Sequence, residues 1–236
     1  MSCLYIVIPA YNEEVNLRSV IDDWYPIIEK HNENGTSRLV IVNDGSSDGT
    51  YNILEEEAES RPLLVPLHKV NGGHGSAIYC GYKYALKMGA DYIFQTDSDG
   101  QTLPSEFEAF WRQRERFDMV IGRRSGRDDG ASRVFVTKVL RLVLLASFQT
   151  WISDANTPYR LMKAEPLKDA LEYIDAKEPL TNVMVSAVFT KKHRKILYRQ
   201  ITFRARQGGV NSINIPKIAK IGTDALSRFI KLNARL

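Results

Sequence analysis

Asp97-Ser98-Asp99 sets two carboxylates at positions i and i+2, directly after the apolar run Tyr92–Phe94. In an extended segment such residues project to the same side, about 7 Å apart. Two carboxylates so placed repel unless a cation lies between them. Mg2+ and Mn2+ take oxygen ligands and are commonly held by one or two carboxylates together with substrate phosphates. A cation there neutralises charge that develops on a leaving diphosphate. In isolation the same spacing more often makes an Asx-type turn or the acidic start of a helix. Its place after a buried run, with Gln101 following, shifts the weight to a metal site.

Three more apolar runs end in polar, Gly-rich segments. Leu4–Ile8 is followed by Pro9-Ala10-Tyr11-Asn12-Glu13-Glu14, Leu39–Val42 by Asn43-Asp44-Gly45-Ser46-Ser47-Asp48-Gly49-Thr50, and Leu63–Leu67, after a short gap, by Asn71-Gly72-Gly73-His74-Gly75. Turns alone account poorly for such a set. Asp44 is able to accept hydrogen bonds from a base or ribose, and Tyr11 to stack on one. Ser47 or Asp48 suits the cap of the next helix. Glu13 reads equally as a ligand contact or as a first-turn acid favoured by the helix dipole. The glycines at 72–75 let backbone approach a ligand closely. They form neither a GxxxxGK[ST] phosphate loop nor a GxGxxG dinucleotide fingerprint. No Ser-His-Asp or Cys-His pattern occurs, and His31, His68, His74 and His193 have no zinc spacing.

The elements that must position these residues alternate. Buried strands are predicted at Leu4–Ile8, Leu39–Val42, Leu63–Leu67, Tyr92–Phe94 and Met119–Ile121, each short, rich in β-branched residues and bounded by turn signals. Helices are predicted between them near 13–31, 48–59, 75–88 and 104–116, the last opened by Pro104. This alternation predicts an α/β fold, a mainly parallel sheet with helices on both faces. Ligands of such sheets bind beyond the carboxyl ends of the strands, where all four polar segments fall. After Gly122 the pattern changes. Residues 122–132 form a polar, Gly-rich loop expected to close over a ligand. An apolar, basic helix follows at about 133–150, then a turn and strand over 153–163, a helix near 180–190 and a strand near 195–203. Pro216 opens a last helix with an apolar face (Ile218, Ile221, Ala225, Phe229, Leu232) and a basic one.

The chain has 236 residues, 44% hydrophobic and 25% charged, values of an ordinary globular protein. The longest uncharged stretch of the middle region, Leu142–Ser153, falls short of the about 20 residues that a spanning helix needs. Cys3 and Cys80 are too few for a disulfide framework or a structural zinc. With no leader-like start, a reduced, cytoplasmic protein is expected. The net charge of +4 conceals an asymmetry: Lys191–Leu236 holds twelve Lys and Arg against Asp224 alone. A basic end on an acidic body suggests an anionic partner surface, membrane or nucleic acid. Nucleic acid is set aside, since no helix-turn-helix, zinc or RNP signature occurs. A basic amphipathic helix lying in the interface of a membrane is the expectation; packing of that helix on the domain is the alternative.

Taken together, VIPAYNEE (7–14), IVNDGSSDGT (41–50), NGGHGSA (71–77) and DSDGQ (97–101) resemble family-2 glycosyltransferases of the GT-A (Rossmann-like) fold, and among them the dolichyl- or polyprenyl-phosphate sugar transferases. The resemblance covers about residues 4–212, taken as the catalytic domain, with 213–236 as a basic amphipathic helix. It implies an inverting, metal-dependent transfer of a hexose from a GDP-mannose or UDP-glucose type donor to a lipid phosphate. By position, Pro9, Tyr11, Glu13, Val42 and Asp44 match nucleotide contacts. Asp97, Ser98, Asp99 and Gln101 match the donor segment, with Asp97, Asp99 and Gln101 as ligands of Mg2+ or Mn2+. Arg124 matches an arginine that faces the diphosphate, and Arg133 a second donor-site arginine that follows the loop. Asp154, with Arg160 six residues on, matches a segment near the acceptor; Asp99, Asp154 and Arg124 are the catalytic candidates. Arg206, Gly209 and Ser212 match a loop that grips an acceptor phosphate. The chain departs from the family in Asn43, where many members carry a second acid, and in Tyr159, where Gly-Phe is frequent; bacterial relatives often carry C-terminal membrane helices. A glycan hydroxyl remains the alternative acceptor, and a non-catalytic sugar-nucleotide binder the alternative of another class. The expected location is the cytoplasmic face of a membrane; a homo-oligomer and a membrane partner subunit both stay open.

Overall fold

A computed structural model describes residues 2–33, 35–124, 155–204 and 227–236. Among the described residues, seven strands form one sheet in the order β3-β2-β1-β4-β6-β5-β7. They are β1 (Leu4–Ala10), β2 (Arg38–Asn43), β3 (Leu64–His68), β4 (Tyr92–Gln95), β5 (Met119–Arg124), β6 (Arg160–Lys163) and β7 (Ile196–Ile201). β1, β2, β3 and β4 run parallel, and β5 is parallel to β7. β6 lies antiparallel between β4 and β5.

β1 shows why the central strands read as continuous apolar runs. Every residue from Leu4 to Ala10 is buried, because helices cover both faces of the sheet. Alternate side chains then feed two separate cores. Leu4, Ile6 and Ile8 pack with α1 (Leu17–Lys30) and with Phe107 and Phe110 of α4 (Phe107–Trp111). Tyr5 and Val7 pack on the other face with Ala77, Ile78 and Tyr82 of α3 (His74–Lys87). The same face receives α5 (Ala164–Leu171) and α6 (Thr181–Lys191). Each aliphatic side chain so buried contributes about 1.5–3 kcal/mol. α2 (Thr50–Ser60) completes the first layer through Leu54.

The predicted strands and the mainly parallel sheet with helices on both faces are present. Several boundaries differ. The helix expected from 13 starts at Leu17. The backbone N–H groups of Asn12, Glu13 and Glu14 donate instead to Ser46, Thr50 and Asp48, which ties residues 12–14 to the loop after β2. The helix expected over 104–116 is a 3-10 turn, Pro104–Glu106, and then the short α4. α5 was not expected. The strand expected within 153–163 is β6, and its start at Arg160 follows the turn at residues 155–159. The 122–132 loop beyond Arg124, the 133–150 helix and the start of the last helix lie outside the described residues.

Residues 227–233 are helical, and their apolar face is spent on the protein itself. Phe229 and Leu232 are buried in the core layer that holds α3, α5 and α6. Arg235 donates to the carbonyls of Glu172 and Tyr173. This part of the C-terminal segment packs on the body of the protein, the alternative to lying in a membrane, with Ile230 its largely exposed bulky apolar residue. Among the described residues no helix is long and apolar enough to cross a membrane.

Candidate active site

The chain leaves β1 for β2 and β3 on one side and returns to β4 on the other, so β1 and β4 part at a topological switch point. Such points open a crevice at the carboxyl ends of the strands. A cleft of about 540 Å³ lies there. Pro9, Ala10, Tyr11 and Glu13 line it from the end of β1, Asp44 from β2, Asn71, Gly73 and His74 from the loop after β3, and Asp97, Ser98 and Asp99 from β4. Ala77 of α3 and Pro179 close it. The four motif segments of the sequence thus meet in one site.

Asp44 holds the third wall. Its carboxylate is buried and accepts from the N–H of Gly72 at 3.0 Å, from that of Gly73 at 2.7 Å and from the Lys69 ammonium. A buried carboxylate is costly unless paired and hydrogen-bonded; here both conditions are met. Gly73, at φ +85°, carries the chain into α3 in a conformation that side chains disfavour. Gly45, at φ +67°, approaches Asn71 so closely that a Cβ would stand 2.7 Å from its backbone nitrogen. Asp44 and these glycines fix the loop after β3 against the end of β2.

The first wall is laced to the second in both directions. Ser47 donates its backbone N–H to Asn12 at 2.8 Å, and Gly49 to Glu14 at 2.7 Å, returning the bonds that enter residues 12–14. Burial pushes the Asp48 carboxyl up, but bonds from Thr50 and from the Glu14 N–H outweigh it and hold the group below the usual carboxylate range. Asp48 also accepts from Thr50 N–H at 3.0 Å, an Asx turn that leads into α2; the N-cap position itself is Gly49, so neither Ser47 nor Asp48 caps the helix as expected. Glu13 is buried, lines the cleft and accepts from the Asn16 amide at 2.8 Å.

Asp97 and Asp99 both face the cleft. Asp97 Oδ1 accepts from Gln95 Nε2 at 3.1 Å and stands 3.7 Å from His74 Nε2. Asp99 Oδ1 accepts from Gln101 N–H at 3.1 Å. The Asx turn expected of this spacing is therefore present, and it leaves both carboxylates on the cleft. A Thr96–Thr102 hydroxyl bond of 2.7 Å closes the base of this loop.

Two expected contacts fall elsewhere. Val42 is fully buried and faces α3 with Val7 and Val40, so its side chain does not line the cleft. Gln101 does not line it either: its amide donates to Arg204 O at 2.9 Å while its own carbonyl accepts Arg204 N–H at 2.8 Å. That reciprocal pair ties the segment after β4 to the one after β7. Arg160 is also out of reach of a ligand. It is 0% exposed, and its guanidinium donates to Ala155 O, Thr157 O, Asn182 O and Ser186 Oγ. Its work is to clamp the turn at 155–157 onto α6. Arg124 ends β5, its backbone paired in register with Ile201. Arg133, Asp154, Arg206 and Ser212 lie outside the described residues. Among the described residues no cluster of three or more His, Cys, Asp or Glu could hold a metal.

Sequence reasoning missed Lys69, Pro179, Gln95 and Asn182. The signal for the last two was available: a glutamine ending an otherwise apolar strand, and an asparagine on a helix buried all round.

The sequence pattern of the family described as glycosyl transferase family 2 matches residues 5–171. The chain is 29% identical over 195 residues to a UDP-N-acetylglucosamine–dolichyl-phosphate N-acetylglucosaminyltransferase of Methanococcus voltae, covering 74% of each chain. It is 29% identical over 179 residues to a dolichyl-phosphate beta-glucosyltransferase of Trichomonas vaginalis, covering 70% of this chain and 54% of that one. An undecaprenyl-phosphate 4-deoxy-4-formamido-L-arabinose transferase of Pseudomonas fluorescens is 30% identical over 155 residues, with 64% and 44% covered. The chain thus spans only about half the length of the latter two. Among solved structures, glucosyl-3-phosphoglycerate synthase of Mycobacterium tuberculosis with Mn2+, UDP and glucosyl-3-phosphoglycerate superposes with a TM-score of 0.70 at 16% identity, over 99% of this chain and 80% of that one. That likeness bears on the fold, which is GT-A. With the family pattern spanning β1 to α5 and its strand-end motifs gathered around one cleft, the chain belongs to glycosyl transferase family 2 and is a glycosyltransferase.

Proposed function

We propose that the protein transfers a hexose from a nucleoside-diphosphate sugar to a polyprenyl or dolichyl phosphate, with inversion at the anomeric carbon and with Mg2+ or Mn2+ in the site. The observation that carries the reading is the convergence of Asp97 and Asp99 on a cleft already walled by Tyr11, Asp44 and the backbone of Gly73. The relatives named for transfer to dolichyl and undecaprenyl phosphates support the acceptor class. Paired hard-oxygen donors on one wall suit a cation that takes its remaining ligands from a diphosphate. Asp97 and Asp99 would hold it, and it would offset the negative charge left on the departing diphosphate.

The remaining work falls to the chain. Tyr11, half exposed at the rim, is placed to stack on the base. Glu13 and the Asp44-anchored loop set the depth to which the nucleoside enters. His74 faces the same space as Asp97 and is placed to donate to a phosphate oxygen. An oxygen of the acceptor phosphate attacks the anomeric carbon as the bond to the diphosphate oxygen breaks, releasing the nucleoside diphosphate. A phosphate acceptor is already ionised near neutral pH, so this attack requires no general base. Holding both anions in line, out of water, supplies the rate. Arg124, Arg133, Arg206 and Ser212 are proposed to bind the two phosphates, and Asp154 to orient the acceptor. The basic segment from Lys191 suits a site beside an anionic membrane surface, where each Lys or Arg adds about 1 kcal/mol.

The test is Asp99→Ala beside the wild type, assayed for release of nucleoside diphosphate with Mn2+ or Mg2+ and a short-chain polyprenyl phosphate. The variant is expected to fold and to lose transfer by at least about 100-fold. Retained transfer would overturn the assignment of this segment.

A further inference from the structure

α6 is buried on every residue from Thr181 to Phe189, yet Thr181, Asn182 and Ser186 are polar. An amide buried without partners costs about 1–3 kcal/mol, so the partners of Asn182 identify its role. Its Oδ1 accepts from the Tyr82 hydroxyl at 3.2 Å, and its Nδ2 donates to Gln95 Oε1 at 3.0 Å. Gln95, the last residue of β4 and itself 0% exposed, donates Nε2 to Asp97 Oδ1 at 3.1 Å. The Asn182 backbone carbonyl meanwhile accepts from the buried Arg160 at 2.9 Å.

The direction of this chain is forced. An ionised Asp97 only accepts, so Gln95 must present its amino group to it. The Gln95 carbonyl then faces Asn182, which must present its own amino group. The Asn182 carbonyl in turn faces Tyr82, whose hydroxyl must donate. Burial holds that phenol far above its usual titration range, so its proton stays in place. Every bond points its positive end toward Asp97, and successive bonds polarise one another.

We propose that Gln95 and Asn182, anchored by Tyr82, are positioning residues that fix the Asp97 carboxylate in the orientation a divalent cation requires. The inference rests on the metal reading given under the proposed function. It reaches across the domain: α6 and α3, on one face of the sheet, set the geometry of a carboxylate at its rim. Outer partners of metal ligands typically carry about 10–100-fold in metal affinity.

The test is Mn2+ titration of the full chain with saturating UDP, and separately with GDP, reading free Mn2+ by electron paramagnetic resonance. Wild type, Asp99→Ala, Gln95→Leu and Tyr82→Phe are compared, with thermal unfolding of each. Gln95→Leu is expected to weaken Mn2+ binding about 10–100-fold. Tyr82→Phe, which removes one remote hydroxyl and keeps the ring, is expected to weaken it about threefold, the size of one neutral hydrogen bond. If Asp99→Ala loses Mn2+ while folded Gln95→Leu and Tyr82→Phe bind within about twofold of wild type, the chain is structural only and the inference is overturned. If Gln95→Leu does not fold, Tyr82→Phe decides by the same criterion. If Asp99→Ala itself binds Mn2+ as wild type does, the metal reading falls and the inference with it.

Discussion

Gly75→Ala is expected to disable the cleft although it adds one methyl group. Gly75 sits in the first turn of α3, against the backbone of Glu178 and Pro179. A Cβ there would stand 2.1 Å from Glu178 O and 2.7 Å from Pro179 C and O, where ordinary contact begins at 3.4 Å. The obstacle is backbone, so no side chain can swing aside. Helix start and loop must separate by about 1 Å, a displacement that costs about 100-fold where groups are held for reaction. Both parts carry cleft residues, Gly73 and His74 on one and Pro179 on the other. The Thr181 hydroxyl, which donates to Gly75 O at 2.9 Å, is drawn out of place as well. Alanine gains about 1 kcal/mol in helix propensity over glycine. Overpacking costs about 1–3 kcal/mol and more against rigid backbone. Against a rigid backbone the clash takes the upper part of that range, which leaves a net loss of up to about 2 kcal/mol. Nucleoside diphosphate affinity should fall about 10–100-fold by calorimetry with UDP and GDP. Gly89→Ala is the control: at φ +82° with open space around it, it should cost about 1–2 kcal/mol in stability and leave the cleft intact. Wild-type affinity together with an unchanged or raised melting temperature in Gly75→Ala would refute the reasoning.

Asp44→Asn is expected to destabilise by about 1–3 kcal/mol and to weaken nucleotide binding, because Lys69 loses its charged partner and the loop at 72–73 loses an acceptor; urea unfolding and calorimetry check it. Phe229→Ala should cost about 3–5 kcal/mol in thermal unfolding without any membrane present, since the ring is fully buried in the core; an unchanged melting temperature would mean that residues 227–233 do not pack as described. Hydrogen bonds from Lys192, and then Arg194, hold the Asp169 carboxyl below its usual range against the opposing effect of burial. A depressed acid stabilises the fold above its unfolded pKa and loses that contribution as pH falls through the folded one. Asp169→Asn should therefore cost about 1 kcal/mol near pH 7, and the difference from wild type should shrink as pH falls below about 4. A difference that grows in acid would reverse the sign of the argument.

The central strands were readable because burial on both faces leaves no polar alternation to confuse them, as in β1. The same burial made Val42 misleading: its motif borders the site while its side chain feeds the α3 layer. The start of α1 was illegible locally, since the groups that compete for the N–H donors of residues 12–14 lie in the loop after β2, more than thirty residues away. α5 spans only eight residues and carries Pro166 within its first turn, so its apolar stripe of Ala164, Leu167, Ala170 and Leu171 was too short to stand out. The strand-end motifs were legible because each is a local signature and the parallel topology brings carboxyl ends together. Gln95 and Asn182 stand 87 positions apart, and only the folded chain shows that one amide completes the other. Lys69 went unread for the same reason, its partner Asp44 being supplied from a neighbouring strand.

The most direct measurement of the central claim is the partition of label between phases. The chain would be incubated with Mg2+ or Mn2+, a panel of labelled nucleotide sugars and a polyprenyl phosphate, and the organic phase counted with and without EDTA. Label from one donor in the organic phase, abolished by EDTA, is the predicted result, and it names sugar and acceptor class together. Label that stays in the aqueous phase, or that passes only to a soluble oligosaccharide while the protein is folded and holds the donor, would contradict transfer to a lipid phosphate.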